Sequence, residues 1–164
     1  MLDWTPPLSW LPRGLLEPAN PWKAIAIGWG LAFPVSILIA ITVGLIAPHA
    51  ETPKFPGIGG PLLLFLLVIF SPVVESLIMG GVLLVLLRFL RPTTAVLVSA
   101  IGWGVAHSFQ VAIWGLIIWW PFLIFSTLFV AWRERSLWLA FGMPMAVHAL
   151  HNLPTSLIVA AGVS

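Results

Sequence analysis

Hydrophobic residues run along this chain in long blocks divided by short polar or proline-rich breaks. Ala24 to Ala47 carries no charged residue, matching the ~20 apolar residues a helix needs to cross a bilayer core, and a kink is expected at Pro34. Pro48 to Gly60 reads as a loop, rich in Pro and Gly and carrying Glu51 and Lys54. Pro61 to Leu87 is the second block. At ~1.5 Å per residue it exceeds a ~30 Å hydrocarbon core, so it is expected to tilt or bend, at Pro72. Arg88, Arg91 and Pro92 close it. Thr93 to Trp132 is again uncharged and too long for one span, so a break near Ser108 to Ala112 is expected to divide it into a third and a fourth. After the polar turn Arg133-Glu134-Arg135, Leu137 to about Val159 forms the fifth.

The pattern predicts an all-α fold: a polytopic membrane helix bundle of about five transmembrane helices, over residues 22–164, preceded by an interfacial segment over residues 1–21. That segment lacks the basic start and apolar run of a cleavable signal peptide and is interrupted by Pro6, Pro7, Pro12, Pro18 and Pro21. Its Leu2, Trp4, Leu8, Trp10, Leu11 and Leu15 suit a stretch lying on the membrane surface.

Composition agrees. Seven Lys or Arg and five Asp or Glu serve 164 residues, 60% of which are hydrophobic, whereas a soluble domain is roughly a quarter charged. A net charge of +2 gives no basis for a nucleic-acid partner. With no cysteine, thiol catalysis, thiolate metal sites and disulfides are excluded. Five spans would put Arg13, Lys23, Arg88, Arg91, Arg133 and Arg135 on one side and only Lys54 on the other. The positive-inside rule then predicts a cytoplasmic amino terminus and an external carboxyl terminus, with Trp22, Trp132 and Trp138 at the inner aromatic belt. No internal repeat is visible, which disfavours the carriers built from inverted halves.

Few strongly polar residues interrupt the spans: Glu75, His107, Gln110, His148, His151 and Asn152. Ionisable groups at the membrane centre cost at least ~2.5–3.5 kcal/mol on insertion scales, so they face the bundle interior and usually serve function. Glu75 falls near the middle of the second span. His148 and Asn152 are four residues apart on the fifth and share a face, and His151 can share it too. His107 sits near the outer end of the third. Each histidine alone suits a hydrogen-bonded packing role as well as catalysis, but one carboxylate, two histidines and an amide on three spans at similar depth point to chemistry. Gln110, His151 and His49 read as polar lining or surface.

These residues also fall into motifs. Ser71-Pro-Val-Val-Glu75-Ser76-Leu-Ile-Met-Gly80-Gly81 resembles the Glu-Glu-x-x-x-Arg motif of the CPBP intramembrane proteases, the CAAX-protease and bacteriocin-processing (Abi) family. Trp103-Gly-Val-Ala-His107 resembles that family's Phe-x-x-x-His, and His148-Ala-Leu-His-Asn152 its His-x-x-x-Asn. Arg133-Glu-Arg-Ser-Leu-Trp138 resembles the Arg-Thr-Gly-Ser-Leu-Trp that commonly precedes the last of these. The resemblance covers a core over residues 61–152. Ser76 stands where the family has its second Glu, and Gly80 where it has Arg. Those positions are a helical turn apart, so a pair able to interact is missing as a pair.

The resemblance implies a hydrolase of the prokaryotic inner membrane: a glutamic-type, metal-independent intramembrane endopeptidase. Glu75 with His107 would activate water while His148 and Asn152 hold the oxyanion, with no cofactor. The physics is compatible, since imidazole and amide N–H groups are suitable donors to developing negative charge. Pro72 would free the carbonyl of Val68 and open the helix to water beside Glu75. The expected substrate is a membrane-anchored or exported peptide or protein, cut near its C-terminus or membrane anchor. A zinc ion held by Glu75, His107 and His148 is the less favoured alternative. A non-catalytic alternative is a structural or assembly subunit of a larger membrane complex, which the altered first motif would suit.

Overall fold

A computed structural model of the chain describes residues 2–54, 58 and 60–161. Among them there is helix and no strand. Part of the expected loop over 48–60 and the last three residues of the expected transmembrane domain lie outside the described residues.

Five long helical units make the bundle. Helix α2 (Pro21–Ile46) follows the short helix α1 (Arg13–Leu16); α3 (Gly60–Phe65) continues through a π-helical turn (Leu66–Phe70) into α4 (Ser71–Leu86). Then come α5 (Pro92–Ser108), α6 (Gly115–Arg133) and α7 (Leu137–Ala160). Their starts have local causes. Asn20 caps α2 by accepting the Lys23 N–H at 3.1 Å, with Pro21 in the first turn. Pro92 opens α5 after an extended Arg91. The expected break near Ser108 to Ala112 lies over residues 109–114, between α5 and α6.

By length and composition, three of these units are apolar enough to cross a membrane: α2, α3 through α4, and α6. Helix α5 has 17 residues, and α7 carries the polar His148, His151 and Asn152. The protein is thus an integral membrane helix bundle.

Helix α6 is its axis. In its most apolar stretch 72% of residues are buried inside the protein, against 22% in α2 and in the α3–α4 unit. Every residue from Pro121 to Trp132 is buried, with α2, α5 and α7 packed around it. Helix α5 comes closest because both partners are glycine at the crossing. A Cβ on Gly115 would collide with the Gly104 carbonyl and the Ser108 hydroxyl, and one on Gly104 would lie 3.1 Å from the Gly115 carbonyl oxygen. That approach brings the end of α5, and His107, against α6.

The amino-terminal segment folds under the basic end. Leu8 and Leu15 are fully buried in the protein core, whereas Trp10 is 79% exposed. The Thr5 N–H donates to the Thr93 hydroxyl oxygen at 3.1 Å, and Arg135 donates to the carbonyls of Pro18 and Ala19 at 3.3 and 3.2 Å.

At a proline inside a membrane helix, a neighbouring helix can supply the missing hydrogen bond. Pro154 in α7 leaves the Leu150 carbonyl without its i+4 donor, and the Trp29 indole of α2 donates to it at 3.1 Å. One residue past the Gly30 carbonyl that Pro34 deprives, the Trp120 indole of α6 donates to the Leu31 carbonyl of α2 at 2.9 Å.

The bend at Pro72 takes the form of the π turn, which corrects one detail of the sequence reading. With the Ser71 N–H donating to the Leu66 carbonyl, the hydrogen bonds run i+5 rather than i+4. The carbonyl that Pro72 deprives is then that of Leu67, one residue before the Val68 expected from α-helical register.

Candidate active site

The four residues singled out in the sequence converge. Glu75 lies one turn into α4, His107 is the penultimate residue of α5, and His148 and Asn152 are a turn apart on α7. The Nε2 atoms of His107 and His148 lie 3.9 and 4.0 Å from the same carboxylate oxygen, Oε2 of Glu75. That oxygen is buried and has no hydrogen-bond partner. The other carboxylate oxygen, Oε1, accepts from the Ser71 hydroxyl one turn earlier.

Each imidazole is held by its surroundings. His107 Nδ1 is 2.9 Å from the Trp103 carbonyl oxygen. A carbonyl only accepts, so Nδ1 carries the hydrogen and a neutral His107 turns its Nε2 lone pair toward Glu75. Its ring lies edge-on to Trp114 at 5.1 Å and against Phe122 at 5.6 Å. His148 stacks on Phe125 at 4.7 Å and meets Phe122 edge-on at 5.5 Å; its Nδ1 is buried and unpaired. Helix α6 thus supplies Phe122 and Phe125 as an aromatic backing for both rings.

These groups line one cavity of about 310 Å³ between α2, the π turn, α4, α6 and α7. It is mostly apolar, walled by residues such as Ile37, Ile117 and Trp114, with Glu75 and the two histidines at its polar end. His151 also lines it, between the edges of Phe33 and Phe125. Gln110 and His49 are exposed.

Asn152 reaches the cavity wall too, but its amide is already engaged: Nδ2 donates to the Leu67 carbonyl at 2.8 Å. This is the carbonyl left without a donor by Pro72. Ser71 and the Leu67 carbonyl are the members of the site that sequence reasoning missed. Ser71 had a signal, a hydroxyl at i−4 from a buried carboxylate; a backbone carbonyl has none.

At the two positions departing from the motif, Ser76 is buried with its hydroxyl unpaired, and Gly80 lies under the rings of Phe129 and Phe141. Gly80 therefore serves close packing, whereas Gly81 has nothing within 4 Å of where a Cβ would stand. Among the described residues, no three His, Cys, Asp or Glu side chains are grouped so as to hold a metal ion, the suggested Glu75–His107–His148 set included.

Comparison with known proteins follows this geometry. A family profile described as type II CAAX prenyl endopeptidase, Rce1-like, matches residues 57–154, well over half of the chain and inclusive of all four convergent residues. No curated protein and no solved structure matches.

Proposed function

The chain belongs to the Rce1-like family of type II CAAX prenyl endopeptidases, and from that premise we propose that it is an intramembrane glutamic-type endopeptidase. The observation that carries this reading is the unpaired Glu75 oxygen facing two imidazole nitrogens inside a walled cavity. Glu75 Oε2 and a neutral His107 Nε2 are both acceptors, too far apart to bond directly but spaced to share one water that donates a hydrogen to each. Two acceptors on one water raise the electron density on its oxygen.

In the reaction, that water loses a proton to Glu75 as its oxygen bonds to the carbonyl carbon of the scissile peptide. The carbonyl oxygen takes up the displaced electron pair. His148 Nε2–H and the second N–H of Asn152 donate to this oxyanion, a neutral amide carrying two hydrogens on one nitrogen. Collapse of the intermediate breaks the C–N bond, and the leaving amine takes the proton from Glu75.

The substrate is a membrane-associated peptide or protein cut near its C-terminus or membrane anchor, and the apolar cavity suits an extended segment entering from lipid. The basic ends of α2, α4, α5, α6 and α7 support an orientation with the amino terminus in the cytoplasm of a prokaryotic cell. The site then opens in the outer half of the membrane, which favours exported or membrane-anchored peptides over cytosolic tails.

The test is cleavage of a farnesylated, fluorogenic CAAX peptide in detergent, together with membrane-protein fragments compared between wild type and Glu75→Gln. Glu75→Gln and His107→Ala should insert normally and lose cleavage by ~100-fold or more, the lower range for a positioned acid–base group. Cleavage that survives both substitutions refutes the assignment.

A further inference from the structure

Asn152 is tied to the chain break in the second span before it meets any substrate. In the π turn, the Ser71 N–H is used by the Leu66 carbonyl. The next carbonyl, Leu67, would take the N–H of residue 72 in the same register, and residue 72 is proline. In lipid an orphaned carbonyl has no water to turn to. Asn152 Nδ2, 85 positions further along the chain, stands 2.8 Å from it.

What hangs on this bond is the aim of Glu75. Leu67, Ser71 and Glu75 all line the cavity. Ser71 holds Oε1 of Glu75, which leaves Oε2 toward His107 and His148. If the π turn tightened to ordinary α-helix, the segments before and after it would rotate by about 100° relative to each other, one residue's worth of helix. Helix α3, the π turn and α4 all pack along α7, so such a rotation cannot keep all three seated, and with α3 and the turn held in place it would carry Glu75 away from His148.

We propose that Asn152 is a positioning residue: its amide replaces the hydrogen bond Pro72 cannot make, and so fixes the π turn in the register that points Glu75 at both imidazoles. This rests on the reading of Glu75 as the base, and deepens it. The remaining N–H of Asn152 stays available for the oxyanion, so the two roles are separable by experiment.

The experiment is a double-mutant cycle between Asn152→Ala and Pro72→Ala in the full chain. It is read as thermal unfolding in detergent and as kcat and KM on the farnesylated CAAX peptide. Pro72→Ala returns an N–H that can reach the Leu67 carbonyl from within its own helix. Asn152→Ala alone should lower the unfolding temperature and cut kcat at least tenfold, with KM changed less than threefold. In the Pro72→Ala background the same substitution should leave the unfolding temperature unchanged and still cost kcat the lost oxyanion donor, but at least threefold less than it costs with Pro72 in place. Loss of fold stability alone would not move kcat of the folded protein well below its melting point, nor would its effect on kcat shrink when Pro72 is replaced. Equal penalties in both backgrounds, in unfolding temperature or in kcat, overturn the positioning role while leaving Glu75 as base intact. Cleavage that persists in Glu75→Gln overturns the reading of Glu75, and the purpose of the positioning with it.

Discussion

Substituting Gly80 by alanine should damage this protein out of proportion to one methyl group. Gly80 is on the buried face of α4, and a Cβ built there collides with ring atoms of Phe129 and Phe141, with Cδ1 of Phe141 at 3.0 Å. The ring of Phe129 has no room to move aside. Phe129 is fully buried, and the two rings pack edge to face with centroids 5.0 Å apart. Overpacking of this kind costs ~1–3 kcal/mol, against at most ~1 kcal/mol gained by replacing glycine in a helix. Gly81 is the internal control, since nothing lies within 4 Å of its added methyl. At roughly 2–4 °C per kcal/mol for a chain of this size, Gly80→Ala should unfold several degrees lower in a detergent melt while Gly81→Ala holds or rises. Phe141→Leu in the Gly80→Ala background should recover part of the loss. Equal melting temperatures for the two alanine variants would refute the packing argument. The same rings explain why the family's Arg has no room here: Ser76→Glu with Gly80→Arg should fail to fold unless Phe141 is also reduced.

Other outcomes follow from the same geometry. Trp29→Phe keeps an aromatic ring against Phe33 but removes the donor to Leu150; it should cost about 1–2 kcal/mol in thermal unfolding, the penalty for an orphaned carbonyl, and Pro154→Ala should restore it. Gly115→Ala should destabilise more than Gly102→Ala. The first collides with the Gly104 carbonyl while the second meets open space, and the same melts decide it. Because the chain has no cysteine, orientation can be read cleanly with single introduced thiols. Arg88→Cys should be labelled by a membrane-impermeant maleimide only from the cytoplasmic side and Lys54→Cys only from outside, and the reverse pattern would invert the topology.

Much of the site was legible because lipid makes polarity conspicuous. Glu75, His107 and His148 stood out as costly residues in apolar runs, and their positions along separate helices were enough to bring them together. The helix boundaries followed from charge and proline, and the bend in the second long unit from its length and Pro72. What stayed hidden was whatever depends on the partner rather than the residue. Asn152 read as an oxyanion donor because it falls in the resembling His-x-x-x-Asn motif, whereas the Leu67 carbonyl it serves belongs to a backbone that looks the same at every position. Trp29 and Trp120 gave no sign of their partners, since nothing in a tryptophan announces that its indole will meet a carbonyl on another helix. The π register was equally unreadable: proline says that a hydrogen bond is lost, and the turn type then decides which one.

The proline breaks also govern how such a molecule is made. Helices α2 and α3–α4 are synthesised before α7. Until it arrives, the Leu67 carbonyl has no donor and the Trp29 indole has no acceptor on Leu150. The first half of the chain therefore waits in lipid with open hydrogen-bonding valences that only the last helix closes. A cell's membrane quality control can recognise such exposed polar groups, so an incomplete or wrongly inserted α7 would mark the whole chain for removal. The candidate-site residues on α7 and the groups that complete the bundle arrive together, so a copy of this protein that survives assembly is one whose site has already closed.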